Sequence, residues 1–317
     1  MVWRSEAKNY HRAKSRINMY QITQKRNIFF AISGIFIIAS VVFLSLGGLK
    51  LGIDFTGGSF IHVAFYDSRP AISEVNGKLS SLNLGNVTIQ PLGENDLTFR
   101  LKNIDSEAYQ NIISNLKENF GNIEEKSFDS IGPTIGNELK SKAVVAIALV
   151  LIFILLYISF VFRKASFGPV KSWVYGSGAI IALIHDLLIV IGVFALLGKY
   201  WNIEIDALFI TALLTVLGFS VHDTIVVYDR IRERLRVSYN KTFEETVNES
   251  VNQTLVRSLN TSLTTILILL ALYLFGGQSI NYFVLALLVG IIAGTYSSIF
   301  VASPLLVVWN KITSKKV

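Results

Sequence analysis

The sequence predicts an α-helical membrane protein in which six spanning helices carry one polar insertion, placed between the first helix and the second. Three observations lead there. Of the 317 residues, 52% are hydrophobic and only 16% charged; the mean hydropathy is +0.52; and apolar runs near or above about 18 residues, the length that crosses a bilayer, recur along the chain. The absence of cysteine excludes disulfides, thiolate metal sites and Cys nucleophiles. The net charge of +7 clusters at the ends of the apolar runs, which marks cytoplasmic loops of a membrane protein, not a nucleic-acid partner.

Residues 1–27 hold Arg4, Lys8, Arg12, Lys14, Arg16, Lys25 and Arg26 against Glu6 alone, and predict a cytoplasmic tail. No small-x-small cleavage site follows, so the first apolar run, Ile28 to Leu46, reads as a retained anchor within residues 28–50. Further runs are Ala143 to Phe162, Trp173 to Leu197, Ala207 to Val227, Leu263 to Phe275 and Tyr282 to Trp309. They make residues 143–309 a five-helix bundle, followed by a C-terminal tail, 310–317. Arg163, Lys164 and Lys171 follow span two, and Arg230, Arg232, Arg234, Arg236 and Lys241 follow span four. The opposite loops are nearly free of lysine and arginine, so both termini are expected in the cytoplasm and residues 51–142 outside the membrane. Within 230–257, Phe243, Val247, Val251 and Leu255 recur every four residues, which suggests an amphipathic helix along the cytoplasmic surface.

The insertion alternates strand and helix signals: strand Ser59 to Phe65, helix Ala71 to Leu82 after Pro70, strands Val87 to Pro91 and Leu97 to Lys102 about a Gly93-Glu94-Asn95-Asp96 turn, helix Ser106 to Phe120, and strand Ile123 to Phe128. That order is βαββαβ, a ferredoxin-like arrangement. It holds no catalytic constellation; its one histidine, His62, is expected to be structural.

Ionisable residues inside a span cost about 2.5 to 3.5 kcal/mol on insertion scales and so tend to face a bundle interior and serve a pathway. His185-Asp186 lies midway along span three and His222-Asp223 towards the cytoplasmic end of span four. Asp186 shares its helix face with Ala182, Ala179 and Tyr175, a small-residue face that another helix can approach closely. Asp223 shares a face with Phe219, Val216 and Ala212, while His222 goes with Gly218, Thr215 and Thr211, because neighbours on a helix are separated by about 100°. Arg257 is a candidate countercharge for Asp223: their midpoint is Asn240, in the turn-like Ser238 to Lys241 stretch, so a chain reversal there puts both at one height. Asn260, Thr261 and Thr264 add polar groups at the entry to span five. Packing alone, or a positive-inside anchor in the case of Arg257, is the competing explanation for each. A carboxylate that an arginine approaches and leaves would bind and release a proton, and one charge crossing 100 mV is worth about 2.3 kcal/mol. No Walker A pattern occurs, so nucleotide hydrolysis is disfavoured. Ala286, Gly290, Gly294 and Ser298 form a small-residue stripe on span six.

Three stretches, LGIDFTGG (Leu51 to Gly58), GFSVHDTIVVYDRIRE (Gly218 to Glu233) and RSLNTSLTT (Arg257 to Thr265), closely resemble the SecF family of the SecD/SecF export proteins, and His185-Asp186 looks like that family's pair. The resemblance covers nearly the whole chain. It implies the resistance-nodulation-division superfamily and a non-enzymatic, cofactor-free subunit of the bacterial cytoplasmic membrane. That subunit acts with a SecD-like subunit, SecYEG, SecA, YajC, YidC and the translocating preprotein, using the proton-motive force. By similarity Asp223 matches the proton-carrying aspartate and Arg257 the arginine of the next helix, and Asp54, Gly57, Gly58, Asp229 and Arg230 belong to family motifs. His222 replaces the family's usual asparagine and adds a titratable group.

Two other classes compete with this reading. Two His-Asp pairs could ligate a divalent cation in an RND-type solute or metal transporter half, if spans three and four adjoin. An intramembrane aspartyl protease would use Asp186 and Asp223, but Phe219-Ser220-Val221-His222 lacks the Gly-x-Gly such enzymes carry.

Overall fold

The computed structural model describes all residues except 1–18, 67, 83, 86, 166–168, 238–239 and 315–317. The basic residues Arg4 to Arg16, the start of the Ser238 to Lys241 reversal, and Lys315 and Lys316 lie outside the described residues. Two compact units emerge: Leu49–Ile147 with Asn202–Ile210, and the remaining helical residues.

The first unit contains a four-stranded antiparallel sheet, β1 (Gly58–Phe65), β2 (Thr88–Leu92), β3 (Asp96–Leu101) and β4 (Ile123–Ile131), in the order β2-β3-β1-β4. Numbering helices in chain order, α1 is Arg26–Gly47, α2 the single turn Ile53–Thr56, α3 Ile72–Leu79 and α4 Ser106–Phe120. Each of α3 and α4 crosses between strands, which is the expected βαββαβ order. Alternation decides which face is covered: Ile61, Val63 and Phe65 of β1 and Leu97, Phe99 and Leu101 of β3 are buried against Val75, Leu79, Ile112 and Leu116. Each such side chain contributes about 1.5 to 3 kcal/mol by leaving water. Asp105 caps α4 by accepting from the Ala108 N–H at 2.9 Å, and Gly121, at φ 75°, ends it. On the open face His62 Nε2 pairs with Asp96 Oδ2 of the neighbouring strand at 2.7 Å, a structural contact.

The second unit is built from long helices. Six helical segments are long and apolar enough to cross a membrane: α1, α5 (Pro133–Val161), α6 (Ser172–Trp201), α7 (Ala207–Val237), α8 (Phe243–Phe275) and the run Asn281–Ser314. The last is interrupted: α9 (Asn281–Ser297) passes through a π turn, Ser298–Ala302, into α10 (Ser303–Ser314). Pro304 lacks an N–H to donate into the helix, and the Ser303 hydroxyl bonds the Ser298 carbonyl at 3.0 Å, which accounts for the widened turn. This run is the centre of the bundle, with 72% of its apolar window buried, against 6% for α5 and 11% for α1.

Two expectations change. Span two begins at Pro133, before the apolar run at Ala143, because Pro at the first helical position starts a helix whose polar first turns lie in the other unit. The amphipathic stretch is not a separate surface helix. Thr242 and Glu245 form a capping box, and α8 then runs unbroken to Phe275. Phe243, Val247 and Val251 pack against Tyr175, Tyr228 and Leu306 inside the bundle, so the spacing of four reports a bundle contact.

Candidate functional site

Both intramembrane aspartates face inward. Asp186 and the Tyr175, Ala179 and Ala182 that share its face are all 0% exposed. Asp223 is 6% exposed, on the same side as buried Val216 and Ala212, while His222 is exposed with Gly218, Thr215 and Thr211. The helical phase read from sequence therefore holds on both helices.

Hydroxyl groups hold each carboxylate. Asp186 Oδ2 accepts from Ser220 Oγ of α7 at 2.6 Å and from Ser297 Oγ of α9 at 2.8 Å, and Oδ1 lies 3.0 Å from His185 Nδ1. Asp223 Oδ1 accepts from Ser258 Oγ of α8 at 2.7 Å, and Oδ2 from Ser298 Oγ at 2.9 Å. Beside them Thr295 donates to Ser262 at 2.6 Å. The close approach needs small residues: a methyl group on Gly294 would lie 2.8 Å from Ser220 Cβ, and one on Gly290 would overlap Val216. The predicted small-residue stripe of span six is thus the face that meets α7. The imidazole of His185 stacks on Tyr296, and its buried Nε2 has no hydrogen-bond partner among the described residues.

Arg257 forms no ion pair with Asp223 among the described residues; it is exposed, one position from Ser258. It lines a crevice of about 490 Å³ between α7 and α8 with Asp229, Arg230, Glu233, Gln253 and Thr254. There Arg230 bonds Gln253 at 2.7 Å and pairs with Glu233 at 2.5 Å, and Asp229 pairs with Arg232 at 2.6 Å. Asn260, Thr261 and Thr264 also lie on the exposed side of α8, and the two threonines bond their own helix backbone. Helical phase explains this: Thr254, Ser258 and Ser262, four apart, form the inward stripe, so the residues between them turn outward. The serines that do touch the aspartates were missed because a hydroxyl in an apolar helix is common and its partner is set by tertiary contact. Of these serines, Ser298 alone stands out in the sequence, as part of the small-residue stripe of span six. The two His-Asp pairs do not converge: among the described residues no three His, Asp or Glu side chains approach as a metal site would require, and His222 faces away.

The Leu51 to Gly58 motif has its own geometry, within the first unit. Gly52 N–H bonds the Ile205 carbonyl and Ile205 N–H the Lys50 carbonyl, each at 2.8 Å. Asp54 Oδ2 accepts from the Ala207 N–H at 2.7 Å, at the N-terminus of α7. Gly57, at φ 72°, sits where a side chain would strike Pro133, and Gly58, at φ 135°, where it would strike the Leu101 carbonyl. Glu204 is bonded by Arg100 and pairs with Lys50 at 3.8 Å; burial pushes its carboxyl up, and the two cations oppose the rise. Burial likewise pushes Asp206 up, with the Phe209 N–H opposing and the charge of Asp54 adding to it.

Six helices long and apolar enough to span a membrane, a βαββαβ insertion and two carboxylates buried at helix crossings define a polytopic membrane protein. The family model described as "Protein export membrane protein SecD/SecF, C-terminal" matches residues 111–312. The chain is 49% identical to the protein translocase subunit SecF of Thermobaculum terrenum, over 92% of this chain and 94% of that one. It is 41% identical to that of Anaerolinea thermophila, with the same coverage. Among solved structures, SecDF from Thermus thermophilus, a translocon-associated membrane protein, superposes with a TM-score of 0.78 at 32% identity, over 92% of this chain and 39% of the longer SecDF chain. SecDF in a super-membrane-facing form gives 0.67 at 31% identity. The chain belongs to the SecF family of protein translocase subunits.

Proposed function

We propose that this chain, paired with a SecD-like subunit, uses the proton-motive force to promote preprotein translocation through SecYEG and SecA, with YajC and YidC as accessory neighbours. It acts in the bacterial cytoplasmic membrane, with both termini cytoplasmic and the βαββαβ domain outside. The observation that carries the reading is Asp223: a carboxylate 6% exposed within an apolar bundle, held by two hydroxyls and, among the described residues, by no cation, with Ser258, one of its donors, next in the chain to Arg257 of the charged crevice. Hydroxyls donate to a carboxylate and accept from a carboxylic acid, so the site accommodates both proton states. Arg257 would supply the bias by moving towards Asp223 and away again.

The exposed side of α7 and α8 supports the partner. His222, Arg257 and Asn260 are exposed on helices meant for hydrocarbon, where charged and amide groups seek a protein neighbour. A SecD-like subunit covering that face would enclose Arg257 in a seam between the two. Lys311, paired with Glu244 at 2.5 Å, and Arg230 to Arg236 fall at the ends assigned to the cytoplasm.

Preprotein export into proteoliposomes containing the SecD-like subunit, SecYEG and SecA tests this. Asp223→Asn and Arg257→Met should each assemble normally and lose the stimulation that a proton gradient gives. Full stimulation in either variant overturns the proposal.

A further inference from the structure

Ser297 and Ser298 are neighbours in the chain, yet they donate to different carboxylates, Ser297 to Asp186 and Ser298 to Asp223. Each hydroxyl also has a second acceptor within reach. Ser297 Oγ lies 3.2 Å from the Gly294 carbonyl, and Ser298 Oγ 3.1 Å from the Thr295 carbonyl. A hydroxyl has one proton to donate, so each serine chooses between its aspartate and its own helix. An ionised aspartate draws the donation, because a bond to a charged acceptor is roughly twice as strong as a neutral one. A protonated aspartate carries its own O–H, which it gives to the serine oxygen, and the serine proton then turns to the carbonyl. Both carbonyls belong to the last turn of α9, where the Gly294 carbonyl also accepts the Ser298 N–H, directly before the π segment that begins at Ser298.

We infer that Ser297 and Ser298 couple proton binding at Asp186 to proton binding at Asp223, so that the two buried carboxylates act as one two-proton site through the last turn of α9. The inference rests on the reading of Asp223 as a proton carrier and adds a second carboxylate and the element that links the two. Around Asp186 stand His185 on its own helix, Ser220 of α7, Ser297 of α9 and, stacked on His185, Tyr296; around Asp223 stand Ser258 of α8 and Ser298. Among the described residues no lysine or arginine pairs with either. Interacting sites of this kind lose their protons in two steps that belong to the pair and not to either residue.

Infrared titration of the full chain in lipid, with no proton gradient, follows the protonated-carboxyl band. The component missing in Asp186→Asn belongs to Asp186, and that missing in Asp223→Asn to Asp223. Wild type should show both. In each aspartate variant the surviving component should shift its midpoint by about one pH unit, a tenfold change in proton affinity. The double variant Ser297→Ala, Ser298→Ala keeps both carboxylates and should draw the two wild-type midpoints together by more than half their separation. It answers the question even if an aspartate variant does not assemble. A single titrating component, midpoints that ignore the other aspartate, or an unchanged separation in the serine variant each overturns the coupling. Because no gradient or export is involved, these results stand apart from the export test of Asp223 alone.

Discussion

Asp54 closes the N-terminus of α7, the helix that carries Asp223 further along, by accepting the Ala207 N–H at 2.7 Å. The first N–H groups of a helix have no partner within it, and a carboxylate there satisfies one of them while meeting the positive end of the helix dipole. Asp206 performs the local version of the same task, accepting from Phe209 N–H at 2.9 Å. Asp54→Ala should therefore lower the stability of the purified chain by about 1 kcal/mol, and Asp54→Asn by less, since the amide oxygen still accepts. Thermal unfolding in detergent reads both; equal stability in the alanine variant would remove Asp54 from this role.

Glycine packing separates two positions that look alike in sequence. Gly290 and Gly218 both lie within spanning helices, but a methyl group at Gly290 collides with Val216, while at Gly218 it meets nothing within 4 Å. Gly290→Leu should cost about 1 to 3 kcal/mol or block assembly, and Gly218→Ala should be neutral or mildly stabilising. Expression level and melting temperature of the two variants, side by side, check the contact between α9 and α7.

Much of this bundle can be read from periodicity. The inward faces of Asp186 with Ala182 and Tyr175, and of Asp223 with Val216 and Ala212, follow from about 100° per residue and a preference for small neighbours. The strand and helix order of the insertion follows from alternation and turn residues. The start of α5 at Pro133, and the continuity of the Phe243 helix with span five, are hidden from the sequence because the polar early parts of α5 and α8 lack a membrane signature, though the Thr242–Glu245 capping box marks where α8 begins. The serine donors and the π turn were not legible: which hydroxyl meets Asp223 depends on how α8 and α9 cross α7, and one residue of rotation replaces Arg257 with Ser258.

In the sheet domain, Glu125 is held below the usual carboxylate range, first by Lys117 at 2.8 Å and then by the Tyr109 hydroxyl at 2.6 Å, while the Tyr109 hydroxyl itself is pushed up to about 12. A carboxyl whose folded value lies below its unfolded value adds stability above the unfolded value and loses it as pH falls through the folded one. Lys117→Met should reduce the melting temperature at neutral pH, and the difference from wild type should fade as pH falls through the lowered folded value of Glu125, once the carboxyl is protonated in both states. A difference that persists in acid would point to packing of the lysine stem instead.

The most direct test of the central claim is proton movement itself. Vesicles containing this chain and a SecD-like subunit, loaded with a pH-sensitive dye and energised by an imposed proton gradient, should acidify with the wild type. They should acidify no faster than empty vesicles with Asp223→Asn, although that variant is folded and inserted. Wild-type acidification rates in Asp223→Asn would contradict the account, because the proton would then cross without the carboxylate on which the proposed relay depends.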